Sequence, residues 1–239
     1  YQRLSKHFVQ QAEGAWDGKW YLRGYDDEGK PFGSDGNAEC ALDSVAQSFA
    51  AFAPDSAPDR ARQAVASALE QLWDRQAQTA ALLTPPFHGL TDPGYIRNYP
   101  PGVRENGGQY THGAIWLAAA CYRTGQEAEG HQLLLDLLPE RHDPARYLAE
   151  PYVLAGDVCT AYQQEGRGGW SWYTGAAGWY YRVVQEELLG LTLREGILTI
   201  HPHLPPSWNQ CRVTWRVLSV ELDIELVRGP WTGMFLDDV

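Results

Sequence analysis

The spacing of apolar and polar residues divides the chain into a helical part and a β part. Up to about residue 190, apolar residues recur at intervals of three and four, which is typical of amphipathic helices. The predicted helices cover residues 1–13, 43–53, 59–74, 110–123, 126–138, 150–162 and 172–189. Short connections within each half favour antiparallel helical hairpins. We therefore expect a mainly α fold over residues 1–190.

Beyond residue 190 the apolar pattern changes to a period of two. The alternation predicts a hairpin turning at Glu195-Gly196, and further strands over 213–217 and 220–226. This β part is too short to close a sandwich alone, so residues 191–239 are expected to be a truncated C-terminal β domain. Residue 1 is Tyr and the one Met is Met234, from which we expect the chain to be a piece of a longer protein.

Residues 83–109 form a long segment without clear periodicity. It contains five prolines and five glycines, together with apolar residues such as Phe87 and Ile96 that could anchor it. Long loops inside compact domains are uncommon and usually functional. This segment is therefore the first place where we expect a functional surface.

Two glycine-rich stretches, residues 104–112 and 166–179, each lead into an apolar helix. The first places charged and amide groups around two glycines before His112, and the second contains Thr174 and Gly175. Glycine lets a backbone approach a ligand closely, and free N–H groups at a helix start attract anions. The first stretch is equally compatible with a capped helix around a satisfied histidine, and the second with small residues that permit close helix packing.

Composition narrows the classes of ligand. Lys and Arg number 19 against 30 Asp and Glu, a net charge of −11, which argues against nucleic-acid binding. The chain has 10 Trp and 13 Tyr, rings that either line a sugar groove or fill the core. No apolar stretch reaches the roughly 18 residues of a membrane span, so direct membrane insertion is not expected.

The four cysteines are widely spaced and form no C-x-x-C pair. In a chain of this length, that pattern predicts reduced, buried thiols in a cytoplasmic protein rather than a disulfide framework. The cysteines are Cys40, Cys121, Cys159 and Cys211.

Two further polar groups have simple structural explanations. Asp26, Asp27 and Glu28 could supply a general acid or accept hydrogen bonds from sugar hydroxyls, but solvated turn carboxylates are more common. His201 and His203 flank a proline and have no third ligand at a sensible spacing, which indicates a surface corner and no metal site.

Several ordered motifs resemble glycoside hydrolase family 94, most closely the branch of cyclic β-1,2-glucan synthetases and 1,2-β-oligoglucan phosphorylases. The similarity covers nearly the whole chain, from about residue 14 to 226. Its motifs lie at residues 16–21, 25–27, 84–87, 92–96, 99–102, 104–112 and 169–175.

The resemblance implies that residues 1–190 are the C-terminal half of an (α/α)6 barrel, followed by a short C-terminal β-sandwich segment. It also implies inverting phosphorolysis, in which inorganic phosphate attacks the anomeric carbon of a β-glucoside and a carboxylic acid protonates the leaving oxygen. The product is α-glucose 1-phosphate, and no metal or organic cofactor is required. The implied partners are a β-glucan oligosaccharide and inorganic phosphate, with pairing through a second copy or the rest of the barrel.

Family positions transfer to particular residues here. His112, Thr174 and Gly175 match the phosphate-binding positions. The positions that match the substrate-binding wall are Tyr95, Tyr99, Arg104, Glu105 and Gln109. The general acid, an Asp in a Trp-Asn-Asp-type motif, is expected upstream of residue 1, together with the phosphate-contacting arginine, so no catalytic residue is assigned within this chain.

Two alternatives remain open from the residues. A hydrolase on the same helical scaffold would need a water-activating carboxylate such as Glu105 and would work without phosphate. A non-catalytic fragment or remnant would bind glucan, or only fill structure, without turnover. If the parent is a cyclic glucan synthetase, the resemblance also implies tethering of that parent to the inner membrane.

Overall fold

The computed structural model describes residues 7, 10–54, 56–161, 163–217, 219–230 and 233. Its helices are α1 (Ser44–Phe52), α2 (Pro58–Leu72), α3 (Thr111–Arg123), α4 (Glu127–Asp136), α5 (Pro144–Tyr147) and α6 (Thr174–Val183). Short 3₁₀ helices cover Gly94–Asn98 and Pro139–Arg141, and a π-helical turn, Val184–Leu188, continues α6. Residues 7 and 10–13 are helical, and the other residues of the predicted first helix lie outside the described part.

Helix α3 is the centre of the core. Ten of its 13 residues are buried, because alanine and other apolar residues cover nearly every side of it. Helices α1, α2, α4 and α6 pack around it. The main apolar cluster joins these helices and includes Trp20, Leu42 and Trp73 from the connecting segments. The site described below is therefore built on the start of the most buried helix.

The strands form small sheets. They are β1 (Gly24–Tyr25), β2 (Pro31–Phe32), β3 (Leu42–Asp43), β4 (Trp73–Asp74), β5 (Thr79–Ala80), β6 (Leu83–Thr84), β7 (Gln109–Tyr110), β8 (Asp157–Val158), β9 (Gly168–Gly169), β10 (Leu191–Arg194), β11 (Ile197–Ile200), β12 (Gln210–Val217) and β13 (Val220–Val227). All pairs are antiparallel: β1–β2, β3–β6, β4–β5, β10–β11, β12–β13 and the three-stranded β7–β8–β9. The described residues thus form helices and small sheets, and they do not close a barrel.

The predicted helix boundaries are confirmed for α1, α3 and α4 to within two residues. Asp43 caps α1, because its Oδ1 accepts a hydrogen bond from the Val45 N–H at 2.8 Å. The predicted change of period near residue 190 is also confirmed, since hairpins β10–β11 and β12–β13 follow the last helix.

The helix predicted over residues 150–162 is wrong. Helix α5 is only four residues long and ends before this segment, which instead contains strand β8. Pro151 has no N–H to donate, and the backbone of β8 pairs on both sides with β7 and β9. Apolar residues in this stretch are therefore buried by a central strand and not by a helix face.

Two other helix ends differ from expectation. The helix predicted over 59–74 ends at Leu72, because the next two residues pair as β4 with β5. The helix predicted over 172–189 begins at Thr174 and becomes π-helical at Val184. Trp172 has φ of 69°, a left-handed conformation that cannot belong to a right-handed helix.

All four cysteines are free, as predicted. Cys40, Cys121 and Cys159 are buried, whereas Cys211 is partly exposed on strand β12. Burial raises the pKa of the Cys40 thiol to about 12, so this side chain is an uncharged apolar filler. Within the described part of the chain, no helix is long and apolar enough to cross a bilayer.

Candidate active site

The three-stranded sheet β7–β8–β9 brings the two glycine-rich stretches together. Strand β7 leads directly into α3, and β9 belongs to the stretch that leads into α6. The middle strand, β8, pairs Asp157 with Tyr110 on one side and with Gly169 on the other. Two stretches that lie about 60 residues apart in the sequence are thereby held on the two strands that flank β8.

His112 lies in the first turn of α3 and faces the first turn of α6. A Cβ atom at Gly175 would lie 3.6 Å from His112 Nδ1. Because glycine has no side chain, the imidazole ring lies directly beside the backbone of α6. Trp116 and Trp179 pack against the ring, with centroids 4.4 and 5.9 Å away. His112 Nε2 is buried and has no hydrogen-bond partner among the described residues. Burial lowers the pKa of this histidine below its ordinary value, which favours the neutral ring.

Both helix starts leave backbone donors open. Neither Tyr110 before α3 nor Tyr173 before α6 makes a side-chain cap hydrogen bond. The Thr111 N–H is used by the Gly156 carbonyl at 3.1 Å. The remaining N–H groups of a first turn, with the positive end of the helix dipole, form a ready anion site. The side chain of Thr174 lies outside the described residues.

A buried charged group lies beside this region. Arg104 Nε is 3.6 Å from Glu105 Oε2, a separation that makes an ion pair but is too long for a hydrogen bond. Arg104 Nε, Glu105 Oε2 and Asp157 Oδ1 are all buried without a hydrogen-bond partner in the described part of the chain. Buried polar atoms are normally hydrogen-bonded, so these three atoms are candidate partners for a polar ligand or an ordered water.

Asp157 is the most buried member of that group, with 5% of its surface exposed. Burial raises the pKa of its carboxyl, and the Arg104 guanidinium opposes that shift. A Cβ atom at Gly169 would lie 3.0 Å from Asp157 Oδ1, so the carboxylate occupies the space that the glycine leaves. Sequence reasoning missed Asp157 because it fell inside the stretch predicted as a helix.

The long segment 83–109 is tied together by buried polar side chains. Asn106 Oδ1 accepts from the Phe87 N–H at 2.7 Å, and its Nδ2 donates to the Tyr99 carbonyl at 2.8 Å. Glu39 accepts from three backbone N–H groups at residues 88, 90 and 91. The segment therefore has a defined shape that depends on these side chains as well as on its prolines.

The residues predicted to line the substrate-binding wall differ in their exposure and in their contacts. Tyr99 lies under the Arg104 guanidinium, which is 5.4 Å from its ring centroid. Tyr95 is on the 3₁₀ helix and 63% exposed. Gln109 is only 1% exposed, and its Oε1 accepts from the Ala80 N–H at 2.9 Å. Gln109 thus holds β7 against β5, and its side chain faces the core.

The other polar candidates are structural. Asp26 Oδ1 accepts from the N–H groups of Glu28 and Lys30, so this acidic group is a solvated turn between β1 and β2. His203 Nδ1 lies 2.7 Å from the Glu187 carbonyl oxygen, and its ring contacts that of His201. Among the described residues, no cluster of three or more His, Cys, Asp or Glu side chains could hold a metal ion.

The sequence is similar to known carbohydrate-active proteins along most of its length. It is 42% identical to the cyclic beta-(1,2)-glucan synthase NdvB of Rhizobium meliloti (strain 1021), over 95% of this chain and 8% of that protein. It is 28% identical to the solabiose phosphorylase of Paenibacillus borealis, over 82% of this chain and 26% of that protein. It is 29% identical to the 3-O-beta-D-glucopyranosyl-beta-D-glucuronide phosphorylase of the same organism, over 89% and 28%.

The chain therefore spans less than a third of the length of each of these relatives. The family model described as the Glycosyl hydrolase 94 superfamily, catalytic domain, matches residues 1–190. That range contains both glycine-rich stretches, the sheet that joins them and the helices that follow them. The chain belongs to the glycosyl hydrolase 94 superfamily.

Proposed function

We propose that this chain supplies the phosphate site and part of the sugar groove for the inverting phosphorolysis of a β-1,2-glucan. The supporting observation is the juxtaposition of His112 with Gly175 at the starts of α3 and α6. Inorganic phosphate lies between the two helix starts, where it accepts hydrogen bonds from open N–H groups and from the ring of His112. Thr174, at the start of α6, belongs to the same site.

The reaction needs one proton donor from protein. A phosphate oxygen forms the new bond to the anomeric carbon, and the bond from that carbon to the glycosidic oxygen breaks. The leaving oxygen takes a proton from a carboxylic acid, which is not assigned within this chain. The products are α-glucose 1-phosphate and a glucan shortened by one unit, and the step uses no metal or organic cofactor.

The sugar groove runs along the wall formed by residues 83–109. Arg104 and Glu105 provide buried polar atoms without hydrogen-bond partners, which suit sugar hydroxyls. Tyr95 and Tyr99 add ring faces to the wall, and Gln109 supports it from the core side. The β-1,2 linkage is proposed because the relative at 42% identity is named a cyclic beta-(1,2)-glucan synthase.

We further propose the domain arrangement that this function requires. Residues 1–190 form the C-terminal half of an (α/α)6 barrel, and residues 191–239 belong to a C-terminal β domain. The remaining barrel helices and the general acid come from elsewhere in a longer protein or from pairing. An exposed Phe49 on α1 and an exposed Tyr181 on α6 are apolar surfaces that such pairing would cover.

Phosphate binding tests this proposal without requiring turnover. We expect the 239-residue chain to bind inorganic phosphate in a calorimetric titration, and His112→Ala to weaken binding at least tenfold. His131→Ala is the matched control. Burial also lowers the pKa of His131, and its Nδ1 is buried without a hydrogen-bond partner among the described residues. Its ring, however, contacts Trp208 and not the start of α6. A folded chain whose phosphate affinity is the same in both variants would remove the proposed site.

A second assay distinguishes the two open alternatives. The chain is incubated with linear β-1,2-gluco-oligosaccharide, with and without phosphate, and both free glucose and α-glucose 1-phosphate are followed. Free glucose formed without phosphate identifies a hydrolase, with Glu105 as the first carboxylate to change. Phosphate binding by a folded chain without either product identifies a fragment or remnant that has no turnover of its own.

A further inference from the structure

An open cavity of about 440 Å³ adjoins the buried charged group and is not used by the proposed phosphate site. It lies between residues 148–150, after helix α5, and residues 168–171, at strand β9. Its volume falls within the range of roughly 300–1,000 Å³ of small-molecule sites. The cavity is therefore large enough for a ligand and has no occupant assigned to it so far.

Trp170 lines the cavity, and three further exposed aromatic residues lie close to its lining segments in the sequence. Trp170, Trp172, Tyr173 and Tyr152 are between 52% and 76% exposed. They form two edge-to-face pairs, Trp170 with Tyr173 at 5.7 Å and Tyr152 with Trp172 at 6.2 Å between centroids. Several large rings that face solvent in one place are typical of ligand-binding and interaction surfaces.

The backbone at this surface is strained. Trp170 and Trp172 have φ of 54° and 69°, a region that bulky residues rarely adopt. Leu148, on the opposite side of the cavity, has φ of 53°. Such conformations are unfavourable for bulky residues and concentrate at binding sites. Both tryptophans are more than half exposed, so their rings face solvent.

A fixed carboxylate lies next to the rings. Glu150 Oε1 accepts a hydrogen bond from Trp172 Nε1–H at 2.9 Å. Its own backbone N–H and the side chains of Trp172 and Ser171 hold the pKa of Glu150 below its usual value, so the group stays ionised and accepts hydrogen bonds only. The ligand must therefore donate hydrogen bonds, and an anion is disfavoured next to this carboxylate.

A ligand that stacks an apolar face on these rings and donates hydrogen bonds from hydroxyl groups has the properties of a neutral sugar. The cavity is also continuous with the proposed groove, because the Arg104 guanidinium lies 4.4 Å from the Trp170 ring centroid while its Nε faces Glu105. We propose that this cavity binds a further glucose unit of the glucan chain, beyond the units that contact Arg104 and Glu105. Trp170 stacks on this unit, and Glu150 accepts a hydrogen bond from one of its hydroxyls.

This inference rests on the proposed function, since it extends the same groove, and it predicts a dependence of affinity on chain length. Linear β-1,2-gluco-oligosaccharides of increasing length are titrated into the 239-residue chain by calorimetry. We expect the affinity to rise with length until the cavity is filled. Trp170→Ala removes that rise, which is a loss of roughly tenfold or more for long chains, and it weakens the shortest binding chain less, through the contact of Trp170 with Arg104.

Glu150→Gln is the second variant, because this partly exposed side chain can be changed without disturbing the core. It keeps an oxygen for Trp172 and loses the charge, and we expect a loss of several-fold for long chains. Trp208→Ala is the control, since Trp208 is a partly exposed tryptophan in the corner between β11 and β12, away from the cavity. Circular dichroism checks that each variant is folded.

The results separate this inference from the proposed function. An unchanged length dependence in both Trp170→Ala and Glu150→Gln would overturn the cavity assignment, as would a folded chain that binds no oligosaccharide. A chain that fails to bind phosphate but loses its length dependence in Trp170→Ala would retain the sugar site and refute the phosphate site.

Discussion

Replacement of Gly175 by alanine separates the stability of helix α6 from its proposed role in phosphate binding. Gly175 is helical and exposed, and a Cβ atom there meets His112 at 3.6 Å, an ordinary van der Waals distance. The variant should therefore fold. Alanine is favoured over glycine inside a helix by up to about 1 kcal/mol, and less in the first turn. We expect the unfolding temperature to stay constant or to rise by about 1–3 °C.

Phosphate affinity should fall in the same variant. A phosphate oxygen bonded to His112 lies about 2.8 Å from a ring nitrogen, whereas a methyl carbon needs about 3.5–4 Å from its neighbours. The new methyl group and the phosphate oxygen therefore compete for the gap between the ring and α6. Loss of one charge-assisted hydrogen bond costs about 1.5–3 kcal/mol, which corresponds to a roughly 10- to 100-fold weaker affinity.

Gly178→Ala is the matched control on the same helix. A Cβ atom at Gly178 meets nothing within 4 Å, and the residue is also exposed and helical. We expect this variant to gain stability and to keep its phosphate affinity. Thermal unfolding and phosphate titration are measured on both variants side by side. Equal phosphate affinities in Gly175→Ala and Gly178→Ala would refute the placement of phosphate between His112 and α6.

Two further outcomes follow from the cited contacts. Burial lowers the pKa of both His112 and His131, so below about pH 6.5 the unfolded chain binds more protons than the folded one. The free energy of unfolding, measured in urea titrations, should therefore fall as the pH drops from 7.5 to 5.5. A constant free energy would contradict the burial of these two rings. Gly190 has φ of 67°, and a Cβ atom there would lie within 2 Å of the His201 carbonyl oxygen, so Gly190→Ala should destabilise the chain by more than about 3 kcal/mol. Gly196→Ala is the control, because Gly196 has φ of 79° but open space around it, and it should cost only about 1 kcal/mol in the same unfolding measurements. Equal losses of stability in the two variants would show that Gly190 is not tightly packed against His201.

The fold was predictable where one periodic pattern decides the structure. Helix α3 has apolar residues on nearly every side and is the central helix, and the alternation after residue 190 forms hairpins. Prediction failed over residues 150–162, where apolar residues near helical spacing are buried by a two-residue strand. A strand that short gives no alternation to read, and its partners are distant in the sequence.

The candidate site was predictable in its residues but not in its assembly. Glycine-rich stretches before apolar helices identified His112 and Gly175, and their proximity required the structure. The core-facing amide of Gln109 was not predicted, because an amide in a polar stretch gives no sign that a backbone N–H at Ala80 will use it. Burial and long-range partners of polar groups are tertiary properties, and one sequence carries little information about them.

Strand β8 carries Asp157, the residue that sequence reasoning missed, and it links the two proposed binding regions. Its backbone holds the start of α3 and the approach to α6 in register, while the Asp157 side chain faces Arg104. The proposed phosphate site and the proposed sugar groove therefore share one short structural element, with the backbone of β8 serving the first and the Asp157 side chain the second. A change of the Asp157 carboxylate that keeps its shape should affect sugar affinity through Arg104 and leave phosphate affinity intact, because the ladder hydrogen bonds of β8 do not involve the side chain.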